Sequence, residues 1–208
     1  LDSLYAKENI KTPSEKVARE MLKDVLLGTE NKGKAIIVTT FSSHLARLKT
    51  IVEMGKKLGR KVVFLGRSLN RYVKAAEDVG IVKFSNQVEI VAYASKIKRK
   101  IKQIVKEGSG KYLIVCTGNQ AEPGSVLTKM ANGAFNFDFH HEDHVIFSCR
   151  TIPVEDNIKN REKLENKLKS LGCRIFKEIH VSGHAGREDD RDLINMLKPK
   201  KIIPAHGG

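Results

Sequence analysis

The chain has 208 residues, of which 40% are hydrophobic and 30% are charged, and its formal net charge is +14. This length suffices for a large domain with its own core. The chain contains no run of about 18 apolar residues and does not begin with the basic-then-apolar order of a signal peptide, so we expect neither a membrane-spanning helix nor a membrane partner. The excess of positive charge favours polyanionic partners, of which nucleic acid is the leading one.

The first half of the chain alternates helical and strand patterns. Thr12-Pro13-Ser14-Glu15 reads as a capping box with proline at the first helical position, which predicts a helix start. Its apolar face would comprise Val17, Met21, Leu22, Val25 and Leu26. A buried strand is predicted over residues 35–39, a helix over 45–58 that stops at Gly59, and a second strand over 61–65.

The second half continues the alternation with a long basic helix from Ala94, which Gly108 closes. Strands are predicted over 112–116 and 145–148, followed by a helix over 164–171. Two short strands, 178–181 and 201–203, flank a last helix over 188–197. This alternation predicts an α/β fold with a mostly parallel, Rossmann-like β-sheet and helices on both faces.

Three cysteines lie far apart and form no C-x-x-C pair: Cys116, Cys149 and Cys173. Two of them follow or end apolar runs. We therefore expect buried thiols in a reducing compartment, which implies a cytoplasmic protein.

Residues 139–144 read Phe-His-His-Glu-Asp-His. His141, Asp143 and His144 fit a ligand string of zinc hydrolases, H-x-H-x-D-H, but Phe139 stands where the first ligand belongs. The string also precedes a predicted strand, whereas functional loops of such sheets follow strands. We interpret the segment as a polar, exposed entry to a strand and not as a catalytic metal site.

Two later histidine turns follow predicted strands. HVSGHAGRED contains Ser182, Gly183 and His184, and IIPAHGG contains His206. The small residues of the first turn leave backbone N–H groups free for an anion such as a phosphate at a helix N-terminus. A plain strand-to-helix turn is the alternative.

The ending HVSGHAGREDDRDLINMLKPKKIIPAHGG closely resembles the end of the β-CASP segment of ribonuclease J, a family of β-CASP metallo-β-lactamase nucleases. The stretches TTFSSHLAR, GRSLNR and CTGNQAEPGSVLTKMANG agree in the same order, as does LDSLYA at the start. The similarity spans nearly all 208 residues. Departures at Leu4-Tyr5, His44 and Gly208 point to an archaeal-type branch.

The resemblance implies a zinc-dependent RNA phosphodiesterase acting mainly as a 5′-to-3′ exonuclease, with endonuclease ability as an open alternative. Asp2 matches the first β-CASP carboxylate, His184 the histidine that it holds, and His206 a histidine that completes the zinc site. His184, fixed by Asp2, would protonate the leaving oxygen.

A 5′-to-3′ exonuclease of this kind implies a pocket for a terminal monophosphate on single-stranded RNA. The candidates are Ser182, Gly183, His184 and Ala185, with Ser42 and Ser43 as second candidates. The alternative for the serines is that they are helix N-caps, which serine favours.

In this family the β-CASP domain is inserted late in a metallo-β-lactamase domain. The chain lacks a complete H-x-H-x-D-H string and an initiator methionine, so we expect residues 1–208 to be a single excised β-CASP domain, inactive alone. Residues 1–12 and roughly 199–208 would be junctions to the metallo-β-lactamase domain, and whether the full-length enzyme is a homodimer is left open. Two alternatives stay open: a stand-alone Rossmann-like domain that binds nucleotides or phosphate, and a basic RNA-binding module.

Overall fold

Six parallel strands form one sheet in the computed structural model, which describes residues 1–207 and leaves Gly208 outside the described residues. The strands are β1 (Ile36–Thr39), β2 (Lys61–Leu65), β3 (Glu89–Val91), β4 (Tyr112–Cys116), β5 (His144–Phe147) and β6 (Arg174–Phe176). Their order is β3-β2-β4-β1-β5-β6, and every neighbouring pair is parallel. The predicted fold class is therefore confirmed.

In the described part of the chain, seven helices accompany the sheet: α1 (Glu15–Gly28), α2 (Leu45–Lys57), α3 (Arg67–Asp78), α4 (Ala94–Glu107), α5 (Val126–Ala131), α6 (Glu155–Ser170) and α7 (Arg187–Leu197). A short 3₁₀ turn, Ser109–Lys111, precedes β4. Within residues 1–207, no helix is long and apolar enough to cross a membrane.

The chain divides into two compact units. The larger, Arg19–Ile179, contains the whole sheet and the helices α2 to α6. The smaller combines Leu1–Ala18 with the chain from His180 onward, which includes α7. The smaller unit thus brings together the two ends of the chain.

Alternate residues of the central strands point to opposite faces of the sheet, and each face is covered by helices. Ile37 packs in a cluster with residues of α4, α5 and α6, whereas Ile36 and Val38 pack in a cluster with residues of α1, α2 and α3. All three side chains are fully buried. Each contributes about 1.5–3 kcal/mol by leaving water, which explains the uninterrupted apolar run of this strand.

The predicted strands over 178–181 and 201–203 are wrong. The chain from 177 to 180 and from 201 to 204 has no regular structure. The edge strand that pairs with β5 is β6, which lies just before the first of these stretches. Ile202 and Ile203 are 46% and 81% exposed, so these apolar side chains are not buried as they would be in a strand of the core. In the earlier stretch Ile179 and Val181 are buried, but no ladder forms there within the described residues.

Asp143 and His144 correct the interpretation of residues 139–144 as an exposed entry to a strand, because both are fully buried. Asp143 Oδ1 accepts a hydrogen bond from the Ala35 N–H at 2.8 Å, and Oδ2 accepts one from the His140 N–H at 2.8 Å. His141, by contrast, is exposed. The carboxylate satisfies one buried and one half-buried backbone donor beside β1 and β5, which is a structural use of the motif.

His144 makes the stability of the fold sensitive to acid. Neither ring nitrogen has a hydrogen-bond partner among residues 1–207, and the ring packs edge-on against Phe176 with centroids 4.9 Å apart. Burial, followed by the charge of Arg174, lowers the pKa of this histidine. The unfolded chain then binds the proton more readily, so the free energy of unfolding decreases as the pH falls below about 6.5.

We expect His144→Phe to flatten the decline of the unfolding free energy between about pH 7 and pH 5, because the protonatable ring is gone. Urea unfolding at several pH values measures this. His141→Gln, a change at an exposed histidine, should keep the wild-type slope. An unchanged slope in His144→Phe would show that other groups control the acid sensitivity.

The three cysteines are buried, as predicted. Burial raises the pKa of the Cys116 and Cys173 thiols to about 12 and that of Cys149 to about 11. These thiols are therefore protonated and unreactive at neutral pH. The reducing compartment inferred from them stays a prediction.

Candidate active site

Asp2, His184 and His206 lie together in the smaller unit. His184 Nδ1 lies 2.6 Å from Asp2 Oδ2, and His206 Nδ1 lies 3.7 Å from Asp2 Oδ1. The two imidazole rings are tilted against each other with centroids 4.7 Å apart. The structure thus brings the three predicted catalytic and metal-binding residues into one cluster, which we call the Asp2 cluster.

Backbone pairing of the two chain ends positions the Asp2 cluster. Asp2 and Ala205 form an isolated parallel bridge, in which the Ser3 N–H donates to Ala205 O at 2.9 Å and the Ala205 N–H donates to Leu1 O at 2.8 Å. A Cβ atom at Gly207 would lie 2.4 Å from Ser3 Oγ, so only glycine permits this approach. His206 itself has a φ of 63°, in the left-handed region.

Electrostatics fix the roles of the two nitrogens of His184. Its hydrogen bond to Asp2 lowers the pKa of the Asp2 carboxyl, and the Leu4 N–H, which donates to Asp2 Oδ1 at 3.0 Å, lowers it further. Asp2 is therefore ionised at neutral pH and accepts the hydrogen bond, which makes Nδ1 the donor. Nε2 is left to exchange a proton with another group.

The donor atoms of the Asp2 cluster fit a metal ion in type. One ligand atom from each residue can be chosen so that all three lie within 4.8 Å of one another, and this is the one such group found within residues 1–207. Two imidazoles and a carboxylate are ligands that zinc accepts. The side chains are 31%, 37% and 62% exposed for Asp2, His184 and His206, so the cluster is open to a ligand.

Thr12 is a site residue that the sequence analysis missed. Its hydroxyl donates to His184 O at 2.6 Å, and its N–H donates to Asp189 Oδ2 at 2.8 Å. The predicted capping box is wrong, since α1 begins at Glu15 and the Thr12 side chain is used in this contact. The partner of the Thr12 hydroxyl is not in the motif but in His184, 172 residues away.

The loop before α7 uses part of its hydrogen-bonding capacity internally. The His184 N–H donates to Ser182 Oγ at 3.0 Å, and the Gly186 N–H donates to Asp189 Oδ2 at 3.0 Å. The N-cap of α7 is Gly186, and the first helical turn is acidic. Ser182 is therefore not an N-cap, and its hydroxyl oxygen accepts from the His184 N–H. The phosphate assignment of Ser182, Gly183, His184 and Ala185 stays a prediction.

Ser42 and Ser43 belong to the larger unit and are not N-caps. The N-cap of α2 is His44, whose Nδ1 accepts a hydrogen bond from the Arg47 N–H at 3.2 Å. Ser42 Oγ instead lies 2.9 Å from Ser68 Oγ, in α3. The His44 imidazole therefore caps α2 by accepting from its first turn.

Two family models match the chain, and together they cover most of it. Residues 33–168 match the model described as ribonuclease J, β-CASP domain. The chain belongs to the ribonuclease J β-CASP family. Residues 170–208 match a second model, described as a Zn-dependent metallo-hydrolase RNA specificity domain.

Curated relatives agree with this assignment of the β-CASP chain. It is 49% identical to a ribonuclease J of Methanocaldococcus jannaschii over 95% of this chain and 44% of that protein. It is 41% identical to a ribonuclease J of Pyrococcus abyssi over 99% of this chain and 45% of that protein. Identity to the ribonuclease J2 of Bacillus subtilis is 28%, over 99% of this chain and 35% of that protein.

The chain spans less than half the length of these relatives. The higher identity to the two archaeal proteins agrees with the archaeal-type resemblance. The two family models meet near residue 169, whereas the two compact units divide the chain after Ala18 and after Ile179. The organisation as a single domain over 1–208 stays a prediction.

Proposed function

We propose that this β-CASP chain is part of a zinc-dependent ribonuclease that hydrolyses phosphodiester bonds in RNA, in the cytoplasm, during RNA processing and decay. The observation that carries the proposal is the contact between Asp2 and His184 at 2.6 Å, with His206 beside them. Such a carboxylate–imidazole pair can deliver a proton to a leaving group. The family match favours this function over a stand-alone nucleotide-binding domain or an RNA-binding module without chemistry.

His184 acts in this proposal as the general acid. Asp2 holds Nδ1 through the short hydrogen bond, so that Nε2 is the nitrogen that presents a proton. A ribose oxygen is a poor leaving group as an alkoxide, and protonation as the P–O bond breaks removes that barrier. The Thr12 hydroxyl donates to the backbone carbonyl of His184, which helps to keep the imidazole in place for this transfer.

Zinc is the cofactor in this proposal, and His206 is its ligand from this chain. Of the three residues of the Asp2 cluster, His206 has the most exposed side chain, and its Nδ1 lies 3.7 Å from Asp2 Oδ1, beyond hydrogen-bonding distance. When bound, zinc would activate water and stabilise negative charge on the phosphate. Catalytic zinc takes about three protein ligands, so further ligands are expected from elsewhere.

A metallo-β-lactamase domain of the same polypeptide is the proposed source of those ligands. Residues 1–12 and roughly 199–208 would join it to this chain, and they include Asp2 and Ala205, which are paired through the backbone next to His206. The proposal includes a homodimer of the full-length enzyme, which a measurement of its molecular mass in solution would test. Single-stranded RNA with a 5′-monophosphate is the proposed substrate, cut mainly from 5′ to 3′ and secondarily at internal bonds.

The function is tested by incubating labelled RNA and zinc with this chain alone and with the protein that carries both this chain and a metallo-β-lactamase domain. We expect hydrolysis from the second and none from the first, because His206 is the one zinc ligand that the proposal takes from this chain and catalytic zinc takes about three protein ligands. A chelator should abolish the activity. Turnover by the isolated chain that is lost in His184→Ala would contradict the division of the site between domains.

Ser182→Ala tests the proposed phosphate pocket. We expect the preference for RNA with a 5′-monophosphate over RNA with a 5′-hydroxyl to decrease by about tenfold, because a hydroxyl donor to a charged group is lost. The rates on both RNAs are compared in the protein that carries both domains. Ser182→Thr, which keeps the hydroxyl, is the matched control. An unchanged preference in Ser182→Ala would remove Ser182 from the pocket.

A further inference from the structure

Helix α4 presents an exposed basic face that the Asp2 cluster does not involve. Ile97, Ile101 and Ile104 face the core, while the opposite side of the helix carries exposed cations. These cations are Lys96, Lys98, Arg99, Lys102 and Lys106. None of them forms an ion pair within residues 1–207.

Other helices of this chain compensate exposed cations with acids one turn away. Lys23 pairs with Glu20 at 2.7 Å, Arg191 pairs with Glu188 at 2.9 Å, and Lys159 pairs with Glu155. In α4 the spacing of four residues instead brings lysine next to lysine, at 98, 102 and 106, which destabilises a helix. The one acid of α4, Glu107, is bonded to Lys61 and Tyr112. A bound polyanion would relieve this repulsion.

The N-terminal half of this face lines a groove of about 380 Å³ beside the edge strand β3, which we call the α4 groove. Its lining includes Tyr93, Lys96, Arg99, Lys100 and Glu89. Glu89, the one acid of the lining, lies 2.5 Å from the ammonium of Lys100, whose side chain is only 7% exposed. Because that pair is neutral, the positive charge of Lys96 and Arg99 is uncompensated in the groove.

An aromatic ring completes the α4 groove. Tyr93 is 64% exposed at the residue before α4, in the same lining as Lys96 and Arg99. An exposed ring beside cations is the arrangement on which single-stranded nucleic acids stack their bases, because every base has a π-face and every nucleotide a phosphate. A duplex would not present a base to the ring, since its bases are stacked and paired inside.

We infer that the α4 groove is a second RNA-binding surface, on which a single strand places its phosphates at Lys96 and Arg99 and stacks a base on Tyr93. The inference rests on the proposed function only in taking RNA as the polyanion, and it requires no hydrolysis. Helical spacing already puts Lys96 and Arg99 on one face, and the groove adds Tyr93 beside them.

The test is the affinity of the 208-residue chain for a fluorescent single-stranded RNA with a 5′-hydroxyl, measured by anisotropy in the presence of a chelator. The 5′-hydroxyl removes the contribution of a terminal-phosphate pocket, and the chelator prevents hydrolysis. We expect the double variant Lys96→Glu/Arg99→Glu to weaken binding by about tenfold or more and to reduce the slope of log affinity against log salt by about 1.4. Tyr93→Ala should weaken binding about fivefold or more.

The matched control is Lys163→Glu/Lys167→Glu on α6, where both lysines are exposed and the change in net charge is the same. It should weaken binding far less than the α4 variant, because it alters only the long-range field. Equal losses in the two double variants would overturn the inference. So would binding of duplex RNA as tight as that of the single strand.

Photocross-linking of the unmodified chain to RNA that contains 4-thiouridine gives a readout that does not depend on variants folding. We expect cross-linked peptides to include Tyr93 to Arg99. Cross-links confined to other segments, or no binding of RNA at all, would overturn the inference. If the protein with both domains does not hydrolyse RNA but this chain still binds RNA at the α4 groove, only the proposed function is contradicted.

Discussion

We expect His184→Ala to lower the rate of RNA hydrolysis by about 10²- to 10⁴-fold in the protein that carries this chain together with a metallo-β-lactamase domain. The reason is the position of His184, whose Nδ1 is held by the Asp2 carboxylate at 2.6 Å while Nε2 is left to deliver a proton. Asp2→Asn should cause a loss in the same range, because an amide can donate to Nδ1 and stabilise the wrong tautomer. Single-turnover rates on labelled RNA measure both effects.

A substrate with a good leaving group separates proton delivery from other roles of His184. A nitrophenyl phosphodiester expels a stable phenolate and gains little from a general acid, so His184→Ala should slow its hydrolysis much less than that of RNA. Zinc content, measured in parallel, identifies any loss of metal. His141→Ala, at an exposed histidine outside the Asp2 cluster, should keep the wild-type rate. An equal loss on both substrates at full zinc content would contradict the role of His184 as general acid.

The second large effect is expected on stability, at Arg47 in α2. Arg47 is fully buried, and its Nη1 donates to Ser148 O at 3.0 Å, to Ser148 Oγ at 2.6 Å and to Ile179 O at 3.0 Å. These bonds join α2 to the end of β5 and to the last residue of the larger unit. We expect Arg47→Ala to lower the free energy of unfolding by about 3–5 kcal/mol, through lost charged hydrogen bonds and a cavity.

Urea unfolding measures this loss, and two variants calibrate it. Lys49→Ala, at an exposed position on the same helix, should change the unfolding free energy by less than about 0.5 kcal/mol. Arg47→Met keeps most of the side-chain volume, so it should cost less than Arg47→Ala, and the difference reports the cavity. A loss below about 1 kcal/mol in Arg47→Ala would show that the surrounding carbonyls find other donors.

The central strands and the long helices follow from local patterns in the sequence. The run at 61–65 is β2 and the run at 112–116 is β4, as predicted, because strands buried on both faces are continuously apolar. The helix that begins at Ala94 ends at Glu107, directly before Gly108, as its apolar period and the glycine indicate. The short strand β6 and the irregular stretches around α7 were not predicted correctly, because partly exposed segments of three or four residues carry almost no periodic signal.

The amino-acid sequence alone determined the α/β class, the buried cysteines and, through family resemblance, the identity of Asp2, His184 and His206 as candidates. The tertiary structure decided how polar groups are paired. Thr12 was available as a helix cap but bonds to His184, and Asp143 resembled a metal ligand but accepts the Ala35 N–H, 108 residues away. A polar side chain takes the partner that the folded chain brings within about 3 Å, and no local pattern encodes a partner that is distant in sequence.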